Sequence, residues 1–251
     1  LVLNDGNTHR DVFLRDLRTG TNLLLSADPG GVPGNAPSFD PIISANGSHV
    51  AFTSFATNLV TGDRNSNQDV FVRDLKSSTG PVLVSVAWNG APANSNSLLT
   101  AISQDGRYIL FRSFAGNLAA NQPYGEKLYV RDMLQGTNFA LTSGVLPYEF
   151  GVMESFYYGR FVPCSMDMTP DGRFIAYVNR YTSWPWRVSV WDLQAGKNVV
   201  SNNIPGFSPQ IAIAPDARSY AWLSNNANIY STILQRIPNT STTLLAAVSS
   251  K

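Results

Sequence analysis

The sequence predicts an all-β fold, a β-propeller of four-stranded antiparallel blades, and three observations predict it. The first is a repeat. The segments DVFLRDL (11–17), DVFVRDL (69–75), KLYVRDM (127–133) and RVSVWDL (187–193) place Asp16, Asp74, Asp132 and Asp192 at spacings of 58, 58 and 60 residues. A period of that length means one structural unit copied along the chain. The second is a hairpin signal inside each copy: Asn46-Gly47, Asp105-Gly106, Asp171-Gly172 and Asp216-Ala217 each separate two apolar runs. The third is alternation with period two, as in Val50, Phe52 and Ser54 against Ala51 and Thr53, which is the periodicity of a strand.

The unit at residues 39–97 gives the elements in order. PIISANG is a short strand, and SHVAFTSF follows it as the second. Asn-Gly between them predicts a type I′ turn, in which both central residues have positive φ. The loop ATNLVTGDRNSNQ leads to the third strand, DVFVRDL; KSSTG turns the chain, and PVLVSVA is the fourth strand. Four short antiparallel strands, repeated, describe one propeller blade after another.

The other copies read the same way. ISQDGRYILFRSF, TPDGRFIAYVN and APDARSYAWLS repeat the first hairpin. Ala217 is the exception, because a Cβ disfavours positive φ, and that turn is expected to be strained or of another type. The second hairpin recurs as Asp16 to Gly20, Asp132 to Gly136 and Asp192 to Gly196. Asp bonds turn amides and Gly adopts the left-handed conformation, so these aspartates are expected to build turns rather than to do chemistry.

The repeats run over approximately 1–38 (partial), 39–97, 98–168, 169–213 and 214–251, forming one domain, 1–251, of about four and a half blades. The first copy keeps only Asp11 to Leu17 and Thr21 to Ala27. Phe13 and Leu24 are expected to meet water there, at a cost of about 1.5–3 kcal/mol per large side chain. The expectation is a fragment of a longer protein, part of a larger ring, that associates through open blade edges.

Composition narrows the function. Charged residues are 14% of the 251 and the net charge is +1, so no general field draws the chain to nucleic acid or anionic membrane. No apolar run is long enough for a membrane-spanning helix. Cys164 is the single cysteine, which rules out an internal disulfide. Low charge with many Ser, Asn and Thr suits an extracytoplasmic protein, periplasmic or secreted.

The segments VAFTS, NLVTGD, DVFVRDL and SQDGRYILF resemble the WD40-like, or TolB-type, β-propeller repeat. The resemblance spans nearly the whole chain and is strongest over residues 1–135. It implies radial four-stranded blades around a channel, in bacterial extracytoplasmic proteins, with no single activity.

Two constellations are candidate sites. Asp63, Asn65, Asn67 and Asp69 place oxygen donors at alternate positions ahead of a strand, and Asp5, Asn7 and Asp11 repeat the spacing. Hard cations such as Ca²⁺ take several such oxygens; the competing reading is a set of Asx-turns. No other cofactor is expected. An aromatic insertion, residues 144–168, carries Tyr148, Phe156, Tyr157 and Tyr158, with Trp184 and Trp186 nearby. These could stack on sugar rings or grip a peptide, or cover the blade as satellite core. Trp88, Trp191 and Trp222 read as packing between sheets. Nucleophilic catalysis has little to stand on: there is no G-x-S-x-G elbow, His9 and His49 have plain roles, and Cys164 lacks a partnered base. Glu149 and Glu154 are the best placed carboxylates for glycoside cleavage. The expected function is a non-catalytic extracytoplasmic module that binds or scaffolds a protein or carbohydrate partner. The alternative is a carbohydrate-active propeller enzyme, a glycosidase or lyase, or the propeller part of a peptidase.

Overall fold

The computed structural model describes residues 2, 5–120, 126–141, 166–180, 186–204, 211–226, 229–236 and 244–247. Every regular element among them is a β-strand. The first sheet holds β1 (Phe13–Arg15) and β2 (Asn22–Leu24). The second holds β3 (Ser38–Ile43), β4 (His49–Ser54), β5 (Asp69–Asp74) and β6 (Val82–Leu83). The third holds β7 (Ser97–Ile102), β8 (Tyr108–Ser113), β9 (Lys127–Asp132) and β10 (Thr137–Ala140). The fourth holds β11 (Met166–Met168), β12 (Phe174–Arg180), β13 (Trp186–Asp192) and β14 (Lys197–Ile204). The fifth holds β15 (Ile211–Ile213), β16 (Ser219–Asn226), β17 (Ile229–Arg236) and β18 (Leu244–Ala247). Each four-stranded sheet is a simple antiparallel meander, the blade that the repeat predicts. The chain divides into two compact units, residues 1–124 with 128–140 and residues 125–127 with 141–251.

In the central strands of the second blade the alternation separates two cores rather than core from solvent. On β4, Val50 and Phe52 pack with Val12, Leu25, Leu59 and Phe71. Ala51 points the other way and joins Val70, Val72, Ile109, Phe111 and Tyr129. A sheet covered on both faces reads as a nearly continuous apolar run, and β5 is buried from Asp69 through Val72. Phe52 stacks on Phe71 with centroids 5.8 Å apart, and Phe111 on Tyr129 at 5.6 Å. In the second unit, Ala176, Val178, Val188, Val190, Ile211, Ile213, Tyr220 and Trp222 form the corresponding core.

Polar staples join neighbouring blades of the first unit. Arg73 Nη1 donates to the carbonyls of Leu24, Leu25 and Ala27 at 3.1–3.4 Å. In the third blade the reach is made by Asn138, whose Nδ2 donates to Val86 O (2.7 Å) and Leu118 O (3.0 Å). Arg131 donates to Asn138 Oδ1 at 3.3 Å and so orients that amide.

Two expectations are corrected. The first hairpin is not a type I′ turn. Gly47 has φ 69°, while Asn46 stays at negative φ, and the bonds are Gly47 N to Ser44 O (2.8 Å) and Ser44 N to His49 O (2.9 Å). That is a four-residue turn closed by one left-handed residue, the G1 pattern. Leu24 does not meet water. It is 7% exposed, because β2 lies against the second blade; its neighbour Leu23 is the exposed one, at 46%.

Candidate functional site

The four repeated aspartates build turns. Asp132 Oδ1 accepts from Leu134 N (2.9 Å) and Gln135 N (3.2 Å), and Asp192 Oδ1 from Gln194 N (2.9 Å) and Ala195 N (3.2 Å). Asp16 does the same with Arg18 and Thr19, and Asp74 with Lys76. Arg173 grips Asp192 through Nε (3.1 Å) and Nη2 (2.8 Å), and this hydrogen bonding holds the Asp192 carboxyl below its ordinary range against the opposing push of burial. The spacing that revealed the repeat is therefore a spacing of turns.

The loop ahead of β5 brings Asp63, Asn65 and Asp69 together. Asn65 N donates to Asp63 Oδ1 at 3.5 Å and Asn67 N to Asn65 Oδ1 at 2.6 Å, two successive Asx-turns. Asn67 takes part through its backbone N–H. Asn65 Nδ2 donates to Asp69 Oδ2 and to Ala93 O, both at 3.0 Å. Ser85 Oγ donates to Asp69 Oδ1 at 2.5 Å and accepts from Val70 N at 3.0 Å, which ties the loop to the segment that follows the fourth strand of the blade. Asp69 is fully buried and Asp63 is 3% exposed. Burial pushes the Asp69 carboxyl up to about 7; hydrogen bonds from Ser85 and Asn65 oppose the rise, and the nearby Asp63 charge adds to it. Burial also pushes Asp63 up, against the hydrogen bond from Asn65 N.

The first repeat builds the same loop. Asn7 Nδ2 donates to Gly34 O (3.0 Å), His9 N to Asn7 Oδ1 (2.7 Å), and Ser26 Oγ to Asp11 Oδ1 (2.6 Å) while accepting from Val12 N (2.9 Å). Asp11 corresponds to Asp69, Ser26 to Ser85 and Gly34 to Ala93. The second loop thus holds two carboxylates around one carboxamide, and the first sets Asn7 and Asp11 on the corresponding partners. In the third copy the strand starts with Lys127, which is buried.

Asp63 also borders an open groove of about 510 Å³ in the first unit, lined among others by Asp28, Asn58, Thr61, Arg64 and Pro81. The loops that frame it are copied in the next repeat. Asp28 N bonds Val32 O (2.9 Å) and Gly31 N bonds Asp28 O (3.0 Å); Ala87 N bonds Ala91 O (2.7 Å) and Gly90 N bonds Ala87 O (3.0 Å). The bridges Ala27–Pro33 and Val86–Pro92 close the two loops alike. At the tip the first copy carries Pro29 and the second carries Trp88.

Trp88 corrects the sequence reading. It does not pack between sheets but stands 72% exposed, because it sits in a turn rather than in a strand. The signal was available: Asn89-Gly90 directly follows it, and the aligned residue is a proline. Trp222 does pack, stacked on Tyr220 at 5.4 Å. Tyr148, Phe156, Tyr157, Tyr158 and Trp184 lie outside the described residues, as do Glu149, Glu154 and Cys164. Trp186 opens β13, its backbone paired with Arg180. His49 Nδ1 lies 2.7 Å from Ser48 Oγ.

No protein-family model and no curated protein matches the chain. Solved structures do. TolB from Acinetobacter baumannii is 16% identical with a TM-score of 0.48, the match covering 91% of this chain and 46% of that one. A putative TolB from Agrobacterium tumefaciens is 14% identical with a TM-score of 0.53, covering 98% and 72%. Dipeptidyl peptidase 4 from Porphyromonas gingivalis is 15% identical with a TM-score of 0.59, covering 92% and 36%. The chain thus spans about half the length or less of two of these three proteins. Identities this low speak for the fold alone. Repeated four-stranded meanders and the likenesses to the Agrobacterium and Porphyromonas structures together give the chain a TolB-like β-propeller fold.

Proposed function

We propose that this chain is a non-catalytic propeller module that binds or scaffolds a protein or carbohydrate partner outside the cytoplasm. The observation that carries the reading is the pair of loops at Ala27–Pro33 and Val86–Pro92. Their backbone bonds are the same, and their tips differ completely. A frame held constant beneath a changing tip is how a scaffold presents recognition residues. Trp88 is a large, rigid, amphipathic anchor of the kind that dominates binding surfaces. The aspartates and arginines of the repeat are meanwhile engaged in turns and in staples between blades. Low charge supports the extracytoplasmic assignment.

The test is a binding screen of the purified chain against glycan and peptide arrays, with hydrolysis followed on the same panels. Binding without turnover, weakened about tenfold or more by Trp88→Ala, is the expected result. Turnover that disappears on replacing Glu149 or Glu154 would establish the glycosidase alternative instead.

A further inference from the structure

The loop that carries Trp88 lacks self-contacts that its counterpart in the first repeat keeps. In the first repeat, Asp28 Oδ1 caps the loop by accepting from Val32 N at 2.8 Å, and Asn35 Nδ2 donates to Thr57 Oγ1 at 2.9 Å. The second repeat has Ala87 in place of Asp28 and, opposite Asn94, Gly116 in place of Thr57, so both contacts are gone. A Cβ at Gly116 would meet nothing within 4 Å, so the space beside it is open. The rest of the frame is kept. Asn94 N donates to Asn117 Oδ1 (3.0 Å), Gly116 N to Asn94 Oδ1 (2.9 Å) and Asn117 Nδ2 to Pro92 O (3.0 Å), as Asn35, Thr57 and Asn58 do in the first repeat. Trp88 N adds a bond to Asn117 O at 3.4 Å, which Pro29 cannot make for want of an N–H.

What the second loop has instead is turned toward solvent. Trp88 is 72% exposed, and Asn89 and Asn94 are exposed as well. Each carboxamide gives its oxygen to the frame: Asn89 Oδ1 accepts from Ala91 N (3.2 Å) and Asn94 Oδ1 from Gly116 N. Their NH₂ groups donate to no partner among the described residues. Both segments are also uncharged, since residues 77–104 and 113–120 contain no Asp, Glu, Lys, Arg or His. An exposed indole flanked by two amide donors, with no charge on either segment, fits a ligand with an apolar face, acceptor oxygens and no net charge. A neutral sugar ring has all three, with C–H groups across one face and hydroxyl oxygens at its rim. A charged ligand would find no opposite charge on either segment. A peptide is gripped along a strand edge or in side-chain pockets, whereas this tip offers a flat exposed ring.

We infer that the Trp88 tip binds an uncharged sugar unit, its ring laid on the indole and its hydroxyl oxygens accepting from Asn89 Nδ2 and Asn94 Nδ2. The inference rests on the reading of the chain as a binding module and narrows its partner to a neutral glycan. The frame beneath the tip holds Trp88 and Asn94 on the same residue, Asn117, so ring and donor are positioned before the ligand arrives and little ordering is left to the binding step.

The test titrates the whole 251-residue chain with neutral oligomers of glucose, mannose, galactose and N-acetylglucosamine, followed by tryptophan fluorescence and by heat. At least one should bind, with the same affinity at low and high salt. Trp88→Ala should weaken that binding about tenfold or more, and Trp88→Phe much less. Asn94→Asp keeps the oxygen that Gly116 N needs and removes the donor, so it should weaken binding about tenfold. Asn35→Asp, the same change in the first repeat, should leave binding unaltered, and melts like the parent's establish that the variants fold. The inference is overturned if no neutral oligomer binds at millimolar concentration, if binding is confined to uronic-acid or sulfated oligomers run in parallel, or if it survives Trp88→Ala or Asn94→Asp unchanged. Trp88-dependent binding of peptides alone also overturns it but leaves the module reading standing. Binding of neither glycans nor peptides removes that reading as well.

Discussion

The inner hairpins of the third and fifth blades share one backbone and differ in most of the side chains that support it. In the third blade, Gly106 N bonds Ser103 O at 3.0 Å and Ser103 N bonds Tyr108 O at 2.8 Å. Ser103 Oγ donates to Asp105 Oδ1 (2.7 Å) and accepts from Tyr108 N (2.9 Å). Arg107 then forks onto Asp132 at 3.0 and 2.8 Å. In the fifth blade, Ala217 N bonds Ala214 O at 2.9 Å and Ala214 N bonds Ser219 O at 2.8 Å. There is no hydroxyl at position 214, and the left-handed residue is Ala217, at φ 56°. Register sets Arg236 opposite Ser219, where the second and fourth blades set Asp74 opposite His49 and Asp192 opposite Phe174. Arg218 is left with Asp216 of its own turn, 3.9 Å away and well exposed. Among the described residues, the two backbone bonds and the Asx contact, Arg218 N to Asp216 Oδ1 at 3.0 Å, are common to both. The meander demands the turn, and the other side chains tune its stability.

That division is most sharply tested at Gly106. Its φ of 81° already disfavours a side chain, and a Cβ there would overlap the His49 ring and lie 2.9 Å from His49 Cβ. Gly47 holds the same turn position with φ 69° and open space around it. Gly106→Ala should therefore cost about 2–4 kcal/mol, a left-handed penalty plus overpacking, and Gly47→Ala only about 1–2 kcal/mol. Denaturant melts of the two variants check the order. Equal losses would mean that the hairpin tips do not press on each other as Gly106 and His49 do.

A smaller effect is expected at Ser103, which is fully buried. Ser103→Ala gives the third hairpin the side chain that the fifth has at Ala214. It removes the acceptor for Tyr108 N, for a loss of about 1–2 kcal/mol. A neutral result would make the hydroxyl redundant in every copy.

Much of this was legible in the sequence, and the misses share one cause. Asp16, Asp74, Asp132 and Asp192 gave the period because a turn needs a particular side chain at a particular place. The blade followed, because alternation such as Val50-Ala51-Phe52 marks strands whichever way their faces are buried. The turn type did not follow, since Asn-Gly serves a type I′ turn and a G1 turn equally; only the register of β3 on β4 decides between them. Leu24 and Trp88 went wrong because burial belongs to the neighbouring blade and loop, not to the residue. The Asp63–Asp69 loop was found as a spacing, but its coupling to Ser85 and Ala93 joins residues 16 and 28 positions apart.

The smallest effect has the most informative sign. Ala217 accepts a left-handed backbone because Ala214, Asp216 and the flanking strands fix it there, so its Cβ carries strain of about 1–2 kcal/mol. Glycine relieves that strain but loses more backbone freedom on folding, about 0.5–1 kcal/mol. Ala217→Gly should therefore stabilise the chain by about 0.5–1 kcal/mol. Ala195 supplies the control, an exposed turn alanine that keeps negative φ. Ala195→Gly should destabilise by a comparable amount, since it brings the entropy loss without relief of strain. Opposite signs in paired melts would establish that the fifth hairpin keeps its turn against the preference of its own residue. Destabilisation by both would mean that Ala217 is not strained, and that residue 217 reaches its conformation for a reason other than the demand of the meander.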